Sequence, residues 1–292
     1  MRLGLERVCV MLIFDLFDLD DKIEIMDVGA SAIAEVPIYK VLLEKRMALL
    51  TAFDGDARQI VTIENAYGKD FATVLNHFLF DGDKHDIYQC SPESGMSSLF
   101  KPKVEALSFF NGFSEFGKVE SIENIQTIRL DDIENVKSPD FLKMDVQGAE
   151  LEIIKNGTNK LKDCLAIQLE VSYFNLYEKQ PSFGEVDVYL RELGFIPHMF
   201  LDVKRWVIAP TMFNGDIRVP GNQILESDVV YVKNPLSIAE LNVIQLKKLA
   251  ILAHYSFKSF DFCVRLLIEL EGREVLDVNS HKQYLLNIKN FD

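Results

Sequence analysis

The chain has 292 residues, 48% of them hydrophobic and 26% charged, an ordinary globular composition with ample material for a core. That length holds one large α/β domain, or one domain with a small appendage. A net charge of −14, with no cluster of Lys and Arg, argues against a nucleic-acid partner and against binding to anionic lipid.

At the N-terminus, Arg2 and Arg7 precede the apolar run Val8–Phe14, which imitates a signal peptide. Asp15, Asp18, Asp20 and Asp21 interrupt the run and no small-x-small site follows, so residues 1–22 read as an N-terminal extension. No segment approaches the roughly 20 apolar residues of a membrane span, and a cytoplasmic protein is expected. Cys9, Cys90, Cys164 and Cys263 form no CxxC pair and read as buried thiols of a reducing compartment. His77, His85, His198, His254 and His281 show neither HxH nor HxxxH spacing, so no metal site is expected.

The first strand is Ile23–Val28, entering a turn at Gly29, and Pro37 opens a helix carrying Tyr39, Val41, Leu42 and Leu43. Leu49–Phe53 reads as a second strand, followed by a helix from Ala57 to about Asn65. Thr73–Phe80 reads as a third, closed by Asp81-Gly82-Asp83, with Asp86–Cys90 returning across as a further strand. Ser91–Gly117 is rich in Ser, Gly, Pro and Phe, and a segment that long between strands is more often functional than idle. Phe141–Asp145 is the fourth sheet strand and leads through Gly148 into the helix Ala149–Asn156, stopped at Gly157. Leu165–Val171 is the fifth, Phe183–Leu193 is an amphipathic helix, and strands near Phe195–Leu201 and Asp228–Lys233 finish the sheet.

This alternation predicts βαβ units and a mainly parallel, seven-stranded sheet, a Rossmann-like α/β domain over residues 23–235. From Leu236 the pattern turns helical, over Ser237–Ala253, Phe257–Leu270 and a stretch ending at Ile288, with Ser237 and Ser256 as candidate N-caps. Residues 236–292 therefore read as a helical extension that covers the core or makes a homo-oligomer contact.

Ligands of open α/β sheets bind beyond the carboxyl ends of the strands. Five strands here run into a carboxylate, at Asp27, Asp54, Asp81, Asp145 and Glu170. Phosphate-bearing ligands want glycines, helix N-termini and cations, and a ring of carboxylates would repel them. S-adenosylmethionine has a sulfonium, an ammonium and ribose hydroxyls, all suited to carboxylates. In the turn Asp27-Val28-Gly29-Ala30-Ser31, Gly29 lets backbone approach a ligand and Ser31 is small enough to allow it, while a full GxGxxG is absent. Asp27, Gly29, Ala30, Ser31, Asp54 and Asp81 are the candidate cofactor residues.

The turn Asp27–Ser31, the acid after Phe53, the Ser97-Ser98-Leu99 run and above all Asp140-Phe141-Leu142-Lys143-Met144-Asp145-Val146-Gln147-Gly148-Ala149-Glu150-Leu151-Glu152 resemble the FkbM-type methyltransferases. Glu170-Val171, Leu176-Tyr177, Gln180-Pro181-Ser182-Phe183 and Gly194-Phe195 are similar to that family as well, so the resemblance spans roughly residues 23 to 233. It implies a class I methyltransferase fold, S-adenosylmethionine as cofactor, and O-methylation, often of sugars or secondary metabolites. Ile33 departs from the pattern, standing where a second glycine is common.

Methyl transfer to an alcohol needs in-line orientation and a base for the acceptor proton. Asp145, at the end of the middle strand, is the first candidate, with Lys143 on the same strand face and Glu170 second. An Asp145–Lys143 structural ion pair is the alternative, and Glu150 reads as an acid placed to stabilise its helix dipole. Ser97, Ser98 and His198 are candidates for the acceptor pocket, whereas Phe109, Phe110, Phe113, Phe116 and Trp206 read first as core. Two other functions stay open: a nucleotide-binding oxidoreductase on the same fold, and an inactive methyltransferase-like module kept for protein assembly. The acceptor expected is a small-molecule or glycan hydroxyl, and its identity is not written in the sequence.

Overall fold

Alternation along the central strands decides the architecture, because successive side chains point to opposite sides of a sheet. The computed structural model describes residues 19, 21–30, 36–55 and 57–288. Seven of its strands make one sheet in the order β3-β2-β1-β7-β8-β10-β9. They are β1 (Ile23–Val28), β2 (Ala48–Phe53), β3 (Ala72–Leu75), β7 (Phe141–Met144), β8 (Ala166–Ser172), β9 (Phe195–Trp206) and β10 (Gln223–Lys233). β1 pairs parallel with β7, β7 with β8, and β2 with β3, whereas β10 runs antiparallel to both β8 and β9. Chain order reverses between β1 and β7, which is where such a sheet opens a crevice beyond its carboxyl ends.

The register sorts this sheet into two unlike faces. Met26, Val28, Leu142, Met144, Leu169, Val171, Val229 and Tyr231 point one way and join one buried cluster with residues of α5 (Glu150–Lys155) and α6 (Phe183–Glu192). Each fully buried side chain of this kind contributes about 1.5–3 kcal/mol. On the opposite face Asp27 lies level with Lys143, Lys143 with Gln168, Asp228 with Glu170, and Glu226 with both Ser172 and Lys204. The carboxyl half of that face is a polar stripe.

The intervening segments follow the prediction unevenly. α1 (Lys40–Glu44) starts three residues after Pro37, and α2 (Ala57–Tyr67) follows β2. The expected third strand Thr73–Phe80 is two strands: β3 stays in the main sheet, and β4 (Phe78–Leu79) pairs with β6 (Ser121–Ile128). A turn closed by the His77 amide on the Leu75 carbonyl separates them. β5 (Lys84–Gln89) pairs antiparallel with β6, giving a second, three-stranded sheet. The Ser91–Gly117 segment folds into α3 (Val104–Phe109) and α4 (Phe113–Phe116), whose aromatic residues build a second core with Leu176, Tyr177 and Leu225. Phe113 and Trp206 meet edge to face there, with centroids 5.0 Å apart; Phe110 and Phe113 are core as expected and Phe116 and Trp206 pack partly buried against them, whereas Phe109 is exposed.

Beyond β10 come α7 (Val243–Tyr255), α8 (Phe260–Gly272) and α9 (Ser280–Ile288), with α8 packed on both others. Neither Ser237 nor Ser256 is an N-cap of these helices; Ser256 instead ends α7. A 3-10 turn occupies Pro235–Glu240, Asn242 caps α7 in a reciprocal capping box with Gln245, and Ser259 precedes α8. Asn242 wins because its side chain accepts from the Gln245 amide while Gln245 returns the bond. Two compact units result: one holds the described residues between 24 and 30 and between 50 and 233, the other those of 19–23, 36–49 and 234–288. No helix among the described residues is long and apolar enough to cross a membrane.

Candidate active site

The carboxyl ends of β1, β2 and β7 are knitted together by backbone. The Gly29 and Ala30 amides donate to the Phe53 carbonyl at 2.9 and 3.3 Å, and the Asp145 amide donates to the Val28 carbonyl at 3.0 Å. Gly29 has φ of +78°, and a Cβ there would lie 2.0 Å from the Asp145 carbonyl oxygen. Only glycine fits both the left-handed backbone and the close approach of the two turns. Asp54 follows directly, its amide reaching the Leu75 carbonyl at 3.3 Å. Ser31 and Ile33 lie outside the described residues.

Asp27 is buried and takes an ion pair from Lys143 Nζ at 3.2 Å. Lys143 therefore pairs across to β1 and not with Asp145 on its own strand, contrary to the expected alternative. Burial alone would lower the Lys143 pKa, but Asp27, Asp145 and Asp228 around it raise it overall, so it stays charged. Asp145, one residue past β7, is exposed and accepts a hydrogen bond from the Gln147 amide at 3.0 Å.

Glu170 lies within β8 and is buried. Desolvation, then Glu226 and Asp145, push its pKa well above the ordinary carboxylate range despite the Lys204 ammonium at 3.3 Å. Lys204 also pairs with Glu226 at 2.8 Å. Asp228 is raised too, by burial first and then by Asp145. Glu150 does more than complement a dipole: one carboxyl oxygen accepts from the Val146 amide at 2.9 Å and the Gly148 amide at 3.3 Å, fixing the turn between β7 and α5. Burial, set against those backbone bonds, pushes its pKa up to about 7.

The remaining expected residues are placed less uniformly. Ser98 is buried beside the site, donating to the Gln147 carbonyl at 2.8 Å and accepting from the Phe100 amide at 3.0 Å. Ser97 instead serves its own turn, its Oγ accepting from the Cys90 amide at 3.1 Å. Asp81 follows β4 of the small sheet, not a strand of the main one, and grips His85 Nε2 at 2.8 and 2.9 Å. His198 lies on the edge strand β9 at a register shift, between Pro197 opposite Tyr231 and Met199 opposite Val230, and is not brought to the carboxyl edge. Sequence reasoning missed Gln147, Lys204, Glu226 and Asp228.

This donor set suits a cation better than a phosphate. Among the described residues no Lys or Arg lies within ion-pair distance of Asp145 or Asp228, and the Oε1 of buried Gln168 on the same face has no hydrogen-bond partner. A sulfonium or ammonium complements such a surface by charge, and ribose hydroxyls by donating to it. The strand order, the switch point and this acidic edge define a Rossmann-like, class I methyltransferase fold. The methyltransferase FkbM domain model matches residues 36–197, more than half of the chain, and the chain belongs to that family of S-adenosylmethionine-dependent enzymes.

No curated protein matches the sequence. Among solved structures, TrmK of M. capricolum with bound S-adenosylhomocysteine is similar at 11% identity, over 98% of this chain and 97% of that one, with a TM-score of 0.37. Magnesium protoporphyrin IX methyltransferase of Synechocystis with bound cofactor is similar at 13% identity, over 80% and 79%, with a TM-score of 0.33.

Proposed function

We propose that the chain is an O-methyltransferase acting on a hydroxyl of a sugar, glycan or small metabolite, in a reducing, cytoplasmic compartment. The observation that carries this reading is the acidic carboxyl edge around Asp145 and Glu170, one carboxylate exposed and the other buried. Asp27, Gly29, Ala30 and Asp54 shape the cofactor side, where S-adenosylmethionine supplies an activated methyl group when bound. On the acceptor side Asp145 takes the hydroxyl proton, because an exposed carboxylate can reach a substrate that a buried one cannot. Glu170, whose environment favours its protonated form, holds Lys204 and steadies the charge beside Asp145. Ser98 fixes the turn that carries Asp145 through the Gln147 carbonyl. Cys90, Cys164 and Cys263 are free and buried, which supports the reducing compartment.

Thermal unfolding with S-adenosylmethionine, S-adenosylhomocysteine and NAD tests the cofactor side. A ligand at 100 times its dissociation constant stabilises by about 2.7 kcal/mol. Shifts with both adenosyl compounds, none with NAD, and their loss in Asp54→Asn are expected, followed by methyl transfer to a hydroxylated acceptor that Asp145→Asn abolishes. Absence of any shift at saturation refutes the enzyme reading in favour of an assembly module.

A further inference from the structure

Gln147 stands between the two carboxylates of the site and the loop that faces them. Its backbone is left-handed, with φ of +55°, an uncommon state for a residue with a side chain. Two groups bond it there. Ser98 Oγ donates to its carbonyl at 2.8 Å, and the Tyr177 hydroxyl, 3.0 Å from its Oε1, donates to that oxygen. Its Nε2 then faces Asp145 Oδ1 at 3.0 Å and Glu170 Oε1 at 3.5 Å. The reverse orientation of the amide would set its oxygen against the Asp145 carboxylate, and this fixes the orientation. Tyr177 is itself buried in the second core, and its one hydroxyl proton is shared between Gln147 Oε1 and the Met96 carbonyl 3.1 Å away.

We propose that Gln147 is a positioning residue: its amide, aimed by Tyr177, holds Asp145 and Glu170 turned toward the methyl-bearing sulfonium of the cofactor. This rests on the reading of the acidic edge as the place where that sulfonium lies. The amide contributes no charge of its own. It donates to the Asp145 carboxylate while facing the Glu170 carboxyl, and so keeps the negative charge of Asp145 on one side of the site.

A sulfonium and a thioether report this directly, since S-adenosylmethionine carries the positive charge and S-adenosylhomocysteine does not. Calorimetric titration of the full chain with each compound gives the ratio of their affinities. Gln147→Asn keeps a residue that tolerates the left-handed backbone but withdraws the amide by one methylene. It should lower the ratio roughly three- to tenfold, the size expected when one ordinary hydrogen bond is lost, with S-adenosylhomocysteine affinity unchanged. Tyr177→Phe leaves the turn backbone intact and should lower the ratio in the same direction by less; it decides the matter if Gln147→Asn does not fold. An unchanged ratio in both variants, or a parallel fall of both affinities, overturns the proposal while the cofactor reading stands. A wild-type chain that binds neither compound overturns the cofactor reading and this inference with it.

Discussion

The carboxyl edge of the sheet and the C-terminal helices each bury a titratable group, and they do so in opposite ways. At the edge, Glu150 is surrounded by backbone amides and by Asp145, and burial raises its pKa to about 7. In the helices, His254 lies among aromatic rings, bonds Tyr284 through Nδ1 at 2.8 Å, and has its pKa lowered to about 4, by burial and then by Lys45. α7 around it is buried almost without interruption, at Leu246, Leu249, Ala250, Ile251, Leu252 and Ala253. Such a helix, in which Lys248 is the one buried charged residue, gains its stability chiefly from packing. The edge is instead held by particular polar contacts, each of which restricts what its neighbours can be. Small changes are therefore expected to be tolerated better in the helices than at the edge.

Glycine substitutions should break that contrast most visibly. Gly29→Ala puts a Cβ against the Asp145 carbonyl in a left-handed backbone, and a loss of roughly 3–5 kcal/mol is expected in urea unfolding. Gly272→Ala, at the end of α8 with open space around the added carbon and no positive φ, should be neutral or stabilise by about 0.5 kcal/mol. Comparable losses in both would mean that the edge is no more constrained than the helices.

The two buried groups should drive stability in opposite directions with pH. Glu150 binds its proton more tightly folded than unfolded, between its ordinary 4.5 and about 7. Its contribution is full below pH 4.5 and is lost as pH rises through 7, by about 3 kcal/mol. His254 resists protonation when folded, so its contribution is full above pH 6.5 and is lost as pH falls toward 4, by a similar amount. Unfolding measured at pH 4, 5.5 and 7 should show Glu150→Gln removing the alkaline decline and His254→Gln removing the acid one. The slope is the readout, because each variant also changes packing. Parallel slopes in the two variants would remove the distinction.

The same contrast explains what was legible in the sequence. β1, β7 and β8 could be read because each is a short apolar run ending beside a carboxylate, and the helices because their apolar residues recur at helical spacing. β6, Ser121–Ile128, has no such pattern, since most of its residues are exposed. Thr73–Phe80 read as one strand because Asn76 and His77 look tolerable inside an apolar run, and only a backbone turn separates its halves. Asp27, Asp54 and Asp145 could be named from their places at strand ends. Lys204, Glu226 and Asp228 could not, because they reach the edge only through the register of an antiparallel hairpin. Their signal was present all the same, as Glu226 and Asp228 alternating with Leu225, Ser227 and Val229 in an otherwise apolar strand. Gln147 lies inside the Asp140–Glu152 run but carries no charge to single it out, and its left-handed turn is bonded by Ser98, which is 49 residues away in sequence.

The smallest effects should come from two buried serines that look alike by burial alone. Ser98 donates to the Gln147 carbonyl and accepts from the Phe100 amide, so Ser98→Ala leaves two part-buried backbone groups without this partner. A loss of about 1–2 kcal/mol is expected. Ser256, at the end of α7, is equally buried, but its Oγ has no hydrogen-bond partner. Its hydroxyl was desolvated on folding with no bond to offset the cost, so Ser256→Ala should leave stability unchanged or raise it by up to about 1 kcal/mol. Urea midpoints of the two variants should therefore move apart from that of the wild type. A loss at Ser256 as large as that at Ser98 would show that the helical unit, too, depends on a specific polar contact, and the line between the two regions would have to be redrawn.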